Sequence, residues 1–172
     1  MKDCFVPDRN KLVHATDFST GTSRILEATR IMVSWAAIGV SAGAYEAALR
    51  YTLKRVQFGK PIAKFQLIQE RLSRMLANIE FSLSHVASIS QDFDRGLITS
   101  GQVARLKAHS TRLGRETTAL ARECLGGNGI LLEHRVMKAM ADTEACYTYE
   151  GTYDINSLVS GRELTGGLSA FK

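Results

Sequence analysis

Between about Ser23 and Arg95 one helix-breaking cluster, Gly59-Lys60-Pro61, interrupts an otherwise helical pattern, and this constrains the fold more than any other feature. Proline is the residue least compatible with a helix interior, and the whole chain has only two, Pro7 and Pro61. Before the break, Ile25, Ile31, Trp35, Ile38, Tyr45, Leu49 and Leu53 recur near helical spacing and predict a helix from about Ser23 to Arg55. After it, Ile68, Leu72, Met75, Leu76, Ile79, Leu83, Val86 and Phe93 form one stripe of a second helix from about Ala63 to Arg95, with Gly96 suited to its C′ position. Ser100 can cap a third helix carrying Val103, Leu106, Leu113 and Leu120 and stopping at Gly126-Gly127. A fourth, shorter helix is expected over Glu133 to Asp142, and a fifth over Tyr153 to Thr165 before Gly166-Gly167. Long antiparallel helices on short loops predict an all-α fold. The expected architecture over residues 23–172 is a four-helix up-down bundle with an extra C-terminal helix. Residues 1–22 read as a remnant strand, Cys4-Phe5-Val6 before Pro7, followed by a polar linker. A lone strand cannot satisfy its own edges, so it reads as the tail of a β-domain that this chain lacks.

Composition narrows the function classes. With 172 residues and 45% apolar content the chain suits one packed domain. A net charge of +5 permits an anionic partner such as a nucleotide cofactor. The basic residues are interspersed with acidic ones in no tract, so nucleic acid is not indicated. Cys4, Cys124 and Cys146 lack C-x-x-C spacing and are odd in number, which fits a reducing compartment rather than a disulfide framework. His14, His85, His109 and His134 share no ligand spacing, so no metal site is expected. No apolar run approaches the roughly 20 residues of a membrane span. Met1-Lys2-Asp3 begins no signal-peptide pattern, and Ser169-Ala170-Phe171-Lys172 is not a peroxisomal address of the S-K-L type. The G-x-S-x-G of a serine-hydrolase elbow is absent.

Four stretches remain as candidates for chemistry. The middle of the first helix, Ala36, Ala37, Gly39, Ser41, Ala42, Gly43 and Ala44, is nearly all small; it fits tight helix packing or the close approach of a flat ligand. Arg55-Val56-Gln57-Phe58-Gly59-Lys60-Pro61 presents a guanidinium fork suited to phosphate, an amide and a ring, with Gln66 nearby; it also fits a helix end whose cations meet the dipole. Leu125-Gly126-Gly127-Asn128-Gly129 follows a helix rather than a strand, so it lacks the context of a dinucleotide fingerprint. It is either a helix stop at positive φ or a place where backbone approaches a cofactor. In Tyr147-Thr148-Tyr149-Glu150-Gly151-Thr152-Tyr153, one carboxylate stands before a glycine among three tyrosines at a helix junction. Partial desolvation would make Glu150 a stronger base; the alternative is a solvated carboxylate near a helix N-terminus, with Thr152 as N-cap.

Arg55-Val56-Gln57-Phe58-Gly59, Leu125-Gly126-Gly127-Asn128-Gly129 and Tyr149-Glu150-Gly151-Thr152 occur in the order and spacing of the acyl-CoA dehydrogenase family's C-terminal domain. The resemblance covers essentially the whole chain, and Lys2 to Pro7 and Thr148 to Gly161 look most like glutaryl-CoA dehydrogenase and the plant-type short-chain acyl-CoA oxidase. It implies an FAD enzyme that desaturates an acyl-CoA between Cα and Cβ. Glu150 matches the family's catalytic base, and its backbone N–H matches a group that polarises the thioester carbonyl. Arg55, Gln57, Phe58 and Gln66 match positions that bind the FAD of a neighbouring subunit, and Glu123, Cys124, Leu125, Gly126 and Gly127 match a second FAD-contacting segment. Thr152 matches a hydroxyl on the flavin, while Arg30, Tyr149 and Gly151 match substrate contacts. The family further implies a homotetramer and an intracellular location: mitochondrial or peroxisomal in a eukaryote, cytoplasmic in a bacterium. The N-terminal helical and middle β-domains of the family are missing here, so the isolated chain is expected to be inactive. A second reading, a helical oligomerisation module without chemistry, stands beside the first.

Overall fold

The computed structural model describes residues 2–168; the C-terminal tetrapeptide considered above lies outside them. Five α-helices account for most of the chain: α1 (Phe18–Lys54), α2 (Gln66–Asp94), α3 (Ser100–Leu125), α4 (Val136–Thr148) and α5 (Tyr153–Leu164). A two-stranded antiparallel ribbon, β1 (Val56–Gln57) with β2 (Lys60–Pro61), fills the connection from α1 to α2. The expected all-α bundle is what forms, with α3 at its centre packed against α1, α2, α4 and α5.

The local signals explain most of the boundaries. α1 starts five residues earlier than the apolar pattern suggests, because Asp17 and Thr20 form a reciprocal capping box, the Thr20 N–H donating to Asp17 Oδ1 at 2.8 Å. Thr99, not Ser100, caps α3 in the same way with Gln102. The Ser100 hydroxyl instead donates to the Glu27 carboxylate on α1. α4 is displaced from the expected Glu133 to Asp142. Residues 132–134 make a 3-10 turn, Arg135 takes φ +61°, and the helix then runs on to Thr148. Cys4-Phe5-Val6 pairs with no strand among the described residues, where β1–β2 is the only sheet. With no neighbour to exchange hydrogen bonds, its backbone is left to water and Phe5 is 88% exposed.

The core is built less from the large residues of α1 than from its small ones. Ile31 and Ile38 are buried, but Ile25, Trp35 and Leu53 are exposed, whereas Ser34, Ala37, Ser41, Ala44 and Ala48 are buried. Gly114 on α3 shows why: a Cβ there would stand 3.0 Å from Ser41 Oγ and 3.3 Å from the Thr143 methyl, so α1, α3 and α4 meet at close range. The small-residue stretch thus serves tight packing on one face, while Gly39 and Gly43 open on the other to a groove of about 1120 Å³ along α1 and α4. By length and composition α1 could also cross a membrane, contrary to the reading of the sequence. Its alanines raise its apolar content while serving, with Ser34 and Ser41, as the bundle seam. Buried hydroxyls on α3 are satisfied within the helix: Thr111 and Thr117 donate to the carbonyls of Lys107 and Leu113, each at 2.8 Å.

Candidate active site

The sequence candidates fall at opposite ends of the bundle. Arg30, Tyr149, Glu150, Gly151 and Thr152 gather where α1 passes the α4–α5 turn. Arg55, Gln57, Phe58 and Glu123 to Gly127 gather at the far end, about 37 Å away for 25 residues of helix.

α4 stops at Thr148, Tyr149 turns extended, Glu150 and Gly151 take φ of +59° and +90°, and Thr152 caps α5 with its side chain. A left-handed non-glycine residue costs about 1–2 kcal/mol, so the surroundings must hold Glu150 there. They do so through the turn's carbonyls. The Lys107 ammonium on α3 donates to Gly151 O at 2.6 Å and Tyr147 O at 3.2 Å. The Asn156 amide donates to Gly151 O at 2.7 Å and Thr152 O at 3.1 Å, and Arg30 Nε reaches Glu150 O at 3.3 Å.

The Glu150 carboxylate is half-buried, and Thr29 Oγ1 stands 2.7 Å from Oε2. The same hydroxyl lies 2.9 Å from Ile25 O, and its single proton favours the carboxylate as the stronger acceptor. Oε1 accepts no hydrogen bond from the described residues. The tyrosines do not wrap this carboxylate as the sequence suggested. Tyr147 stacks on Tyr153 at 6.0 Å and carries the Arg115 guanidinium on its ring, while the Tyr149 hydroxyl faces Cys146 at 3.9 Å. The Arg30 guanidinium is buried; that burial lowers its pKa, against the raising pull of Glu150 and Glu27. Lys107 is fully buried and is pushed down from 10.5 to about 8, chiefly by desolvation. Cys146 and Glu150 pull the other way and Arg30 adds to the lowering.

At the other end, Phe58 and Gly59 take φ of +52° and +74°, the paired positive values of a tight two-residue hairpin. That turn holds Phe58 away from the body, 89% exposed, with its ring edge-on to Phe65. Beside it lies a cavity of about 520 Å³ lined by Tyr51, Arg55, Gln57, Phe58, Phe65, and the run from Glu123 to Asn128. Gly126 ends α3 at φ +57°, and nothing stands within 4 Å of where a Gly127 side chain would begin. Gly129 is fixed by packing: a Cβ there would lie 2.4 Å from Arg122 O. Cys124 is buried with its thiol pKa raised by desolvation, and Glu123 is paired to Arg71 at 3.0 Å. Gln66 opens α2 outside this lining.

Sequence reasoning missed Thr29, Lys107, Asn156, Tyr51 and Asn128. Asn128 Nδ2 donates to the Tyr51 hydroxyl at 2.8 Å and so ties the glycine-rich turn to α1. The findable signal was Lys107, a cation set beside Leu106 and Ala108 on the buried stripe of α3.

Fold and site define a class: a helical bundle carrying a carboxylate on a strained interhelical turn and a glycine-lined cavity at its far end. Residues 20–165 match the family model for the acyl-CoA dehydrogenase C-terminal domain, and the chain belongs to that family. It is 29% identical over 163 residues to the mitochondrial isovaleryl-CoA dehydrogenase of Oryza sativa subsp. japonica, covering 95% of this chain and 40% of that protein. The glutaryl-CoA dehydrogenase of Mycobacterium smegmatis superposes with a TM-score of 0.82 at 33% identity, over 87% of this chain and 38% of the other. A structure of a glutaryl-CoA dehydrogenase from the same organism in complex with FADH2 gives 0.81 at 28%, over 86% and 38%. The chain therefore spans about two fifths of the length of the curated relatives it matches.

Proposed function

We propose that this chain is the C-terminal domain of an FAD-dependent enzyme that desaturates an acyl-CoA thioester, with Glu150 as the base that removes the α-proton. The observation that carries the reading is the Glu150 carboxylate itself. It sits on a left-handed turn, with one oxygen held by Thr29 and the other without a donor among the described residues. A proton leaving a substrate Cα would pass to Oε1, while the Thr29 hydrogen bond keeps Oε2 from rotating into its place. The exposed Thr152 hydroxyl, whose oxygen receives the Ile155 N–H, can donate its own proton to a bound group. The backbone N–H of Glu150 would polarise the thioester carbonyl so that the α-proton is more acidic, and Arg30 would help hold the acyl-CoA.

What FAD supplies when bound is a two-electron acceptor for the hydride leaving Cβ. The far cavity fits part of an anionic dinucleotide: Arg55 and Gln57 stand exposed at its rim, and the Gly127 backbone faces it without a side chain. With the two ends this far apart, the cavity and Glu150 would serve different flavins, which fits a cofactor shared between subunits. Exposed Ile25, Met32, Phe81, Ile155 and Leu158 offer apolar surface for such an oligomer. Exposed Phe5 and Val6 suit the covering β-domain inferred for the N-terminal arm.

The test is turnover of a short acyl-CoA with an artificial electron acceptor. Residues 1–172 alone should show none, because the described residues build no wall opposite Glu150 to hold and desolvate the substrate; turnover by these residues alone contradicts this. In the smallest assembly containing the chain that does turn over, Glu150→Gln should lower kcat by about 10²–10⁴-fold.

A further inference from the structure

The turn that carries Glu150 is gripped by two buried side chains for which the proposed chemistry has no use. Lys107 rises from the N-terminal third of α3 and Asn156 from the first turn of α5, and both are fully buried. Between them they cover the carbonyls of Tyr147, Gly151 and Thr152, and Asn156 lies 3.4 Å from that of Glu150. Positive φ at Glu150 and Gly151 breaks the run from α4 into α5, so side-chain donors reach the Tyr147 and Gly151 carbonyls, while Thr152 O also accepts the Asn156 N–H at 3.0 Å within α5. The grip also interlocks: a Cβ on Gly151 would stand 2.9 Å from Asn156 Nδ2, so position 151 admits no side chain while Asn156 holds its place.

Covering carbonyls alone does not require a buried ammonium, since water or a neutral amide would serve without its desolvation cost. A charged donor at 2.6 Å from Gly151 O, one residue from the carboxylate, adds strength and direction that a neutral donor lacks. We propose that Lys107 and Asn156 are positioning residues, which together lock Glu150 in its left-handed conformation and so aim its carboxylate. The aim matters only if Glu150 is the base, so this inference rests on the proposed function; the lock itself is measured separately. The charged and titratable groups facing Lys107 are Cys146 from α4, Arg30 from α1 and Glu150 from the turn.

The experiment is NMR on the isotopically labelled 172-residue chain. In Lys107→Met and Asn156→Leu, the Cα, Cβ and carbonyl shifts of Glu150 and Gly151 should move to coil averages while the helix shifts persist. Lys107→Gln, which keeps one donor, should recover most of the wild-type turn shifts; a role in general stability would not show this selective loss and rescue. If Lys107→Met does not fold, titrating the wild type carries the test. The Gly151 and Tyr147 carbonyl shifts should then follow a common midpoint near Lys107's value of about 8. Unmoved Glu150 shifts in the variants, or carbonyls that ignore that titration, overturn the lock. Loss of turnover in Glu150→Gln with unmoved shifts removes the lock alone. Loosened shifts with full turnover in Glu150→Gln remove the base and leave the lock standing.

Discussion

At the Arg30 end of α1, the α4–α5 turn is held by buried Lys107 and Asn156, and Glu150 is fixed in a conformation it would not choose alone. At the Arg55 end of the same helix, the hairpin stands in water with Phe58 89% exposed, beside a hollow whose glycine carries no side chain toward it. The first region is complete within the chain: its strain is met by its own donors, as preorganised chemistry requires. The second presents polar groups and open space without closing on them, which suits a surface completed by a bound group. Under the proposed function, one end holds the base and the other offers a place to dock.

The contrast can be broken most easily at the open end. Arg55→Ala removes one charge-assisted hydrogen-bond donor from the cavity rim, worth about 1.5–3 kcal/mol, and should weaken FAD binding about 10–100-fold in a fluorescence titration. The melting temperature should hardly change, because Arg55 is exposed. Equal affinity in the variant would end the docking role of this cavity. Gly129→Ala drives a methyl against Arg122 O, a contact of 2.4 Å, and should cost about 1–3 kcal/mol in urea unfolding. Gly127→Ala, into open space, should cost far less, and a reversal of that order would contradict the placement of the glycine turn.

Smaller effects sharpen the closed end. Glu150→Gly should be more stable than Glu150→Ala by about 1 kcal/mol, since glycine relieves the left-handed strain and alanine keeps it. Comparable melts for the two would mean that Glu150 is not strained. The pH dependence tests the same region. Lys107 has a pKa of about 8 in the fold against 10.5 as its ordinary value, so the folded chain binds fewer protons than the unfolded one between those values. The burial penalty is fully present below pH 8 and is relieved as pH rises toward 10.5. The stability of wild type relative to Lys107→Met should therefore improve across that window, with Cys146, Arg30 and Glu150 as the groups facing the ammonium. A flat difference would mean that Lys107 is not buried as a cation.

The helices were legible because their apolar spacing and breakers were local. Gly59-Lys60-Pro61 marked the first corner, and Gly126-Gly127 marked the end of α3. What escaped depended on tertiary context. Trp35 and Ile25 looked like core and are exposed, while on the same helix the small residues Ala37, Ser41 and Ala44 are buried beside Ile31 and Ile38. α4 was expected to stop at Asp142, but it runs through the weak helix formers Tyr147 and Thr148, where Tyr147 stacks on Tyr153. Glu150 was recognisable from its motif, yet its tyrosine setting was misleading. Its real partners, Thr29 and, through the turn, Lys107, lie 121 and 43 residues away in sequence. Nothing in the local sequence links either residue to the turn.

The most direct measurement is exchange of acyl-CoA α-protons for deuterium in heavy water, in the turnover-competent assembly and without an electron acceptor. The wild-type protein should exchange them, and Glu150→Gln should bind flavin and acyl-CoA normally yet exchange at the uncatalysed rate. Exchange by Glu150→Gln at the wild-type rate would contradict the assignment of Glu150 as the base.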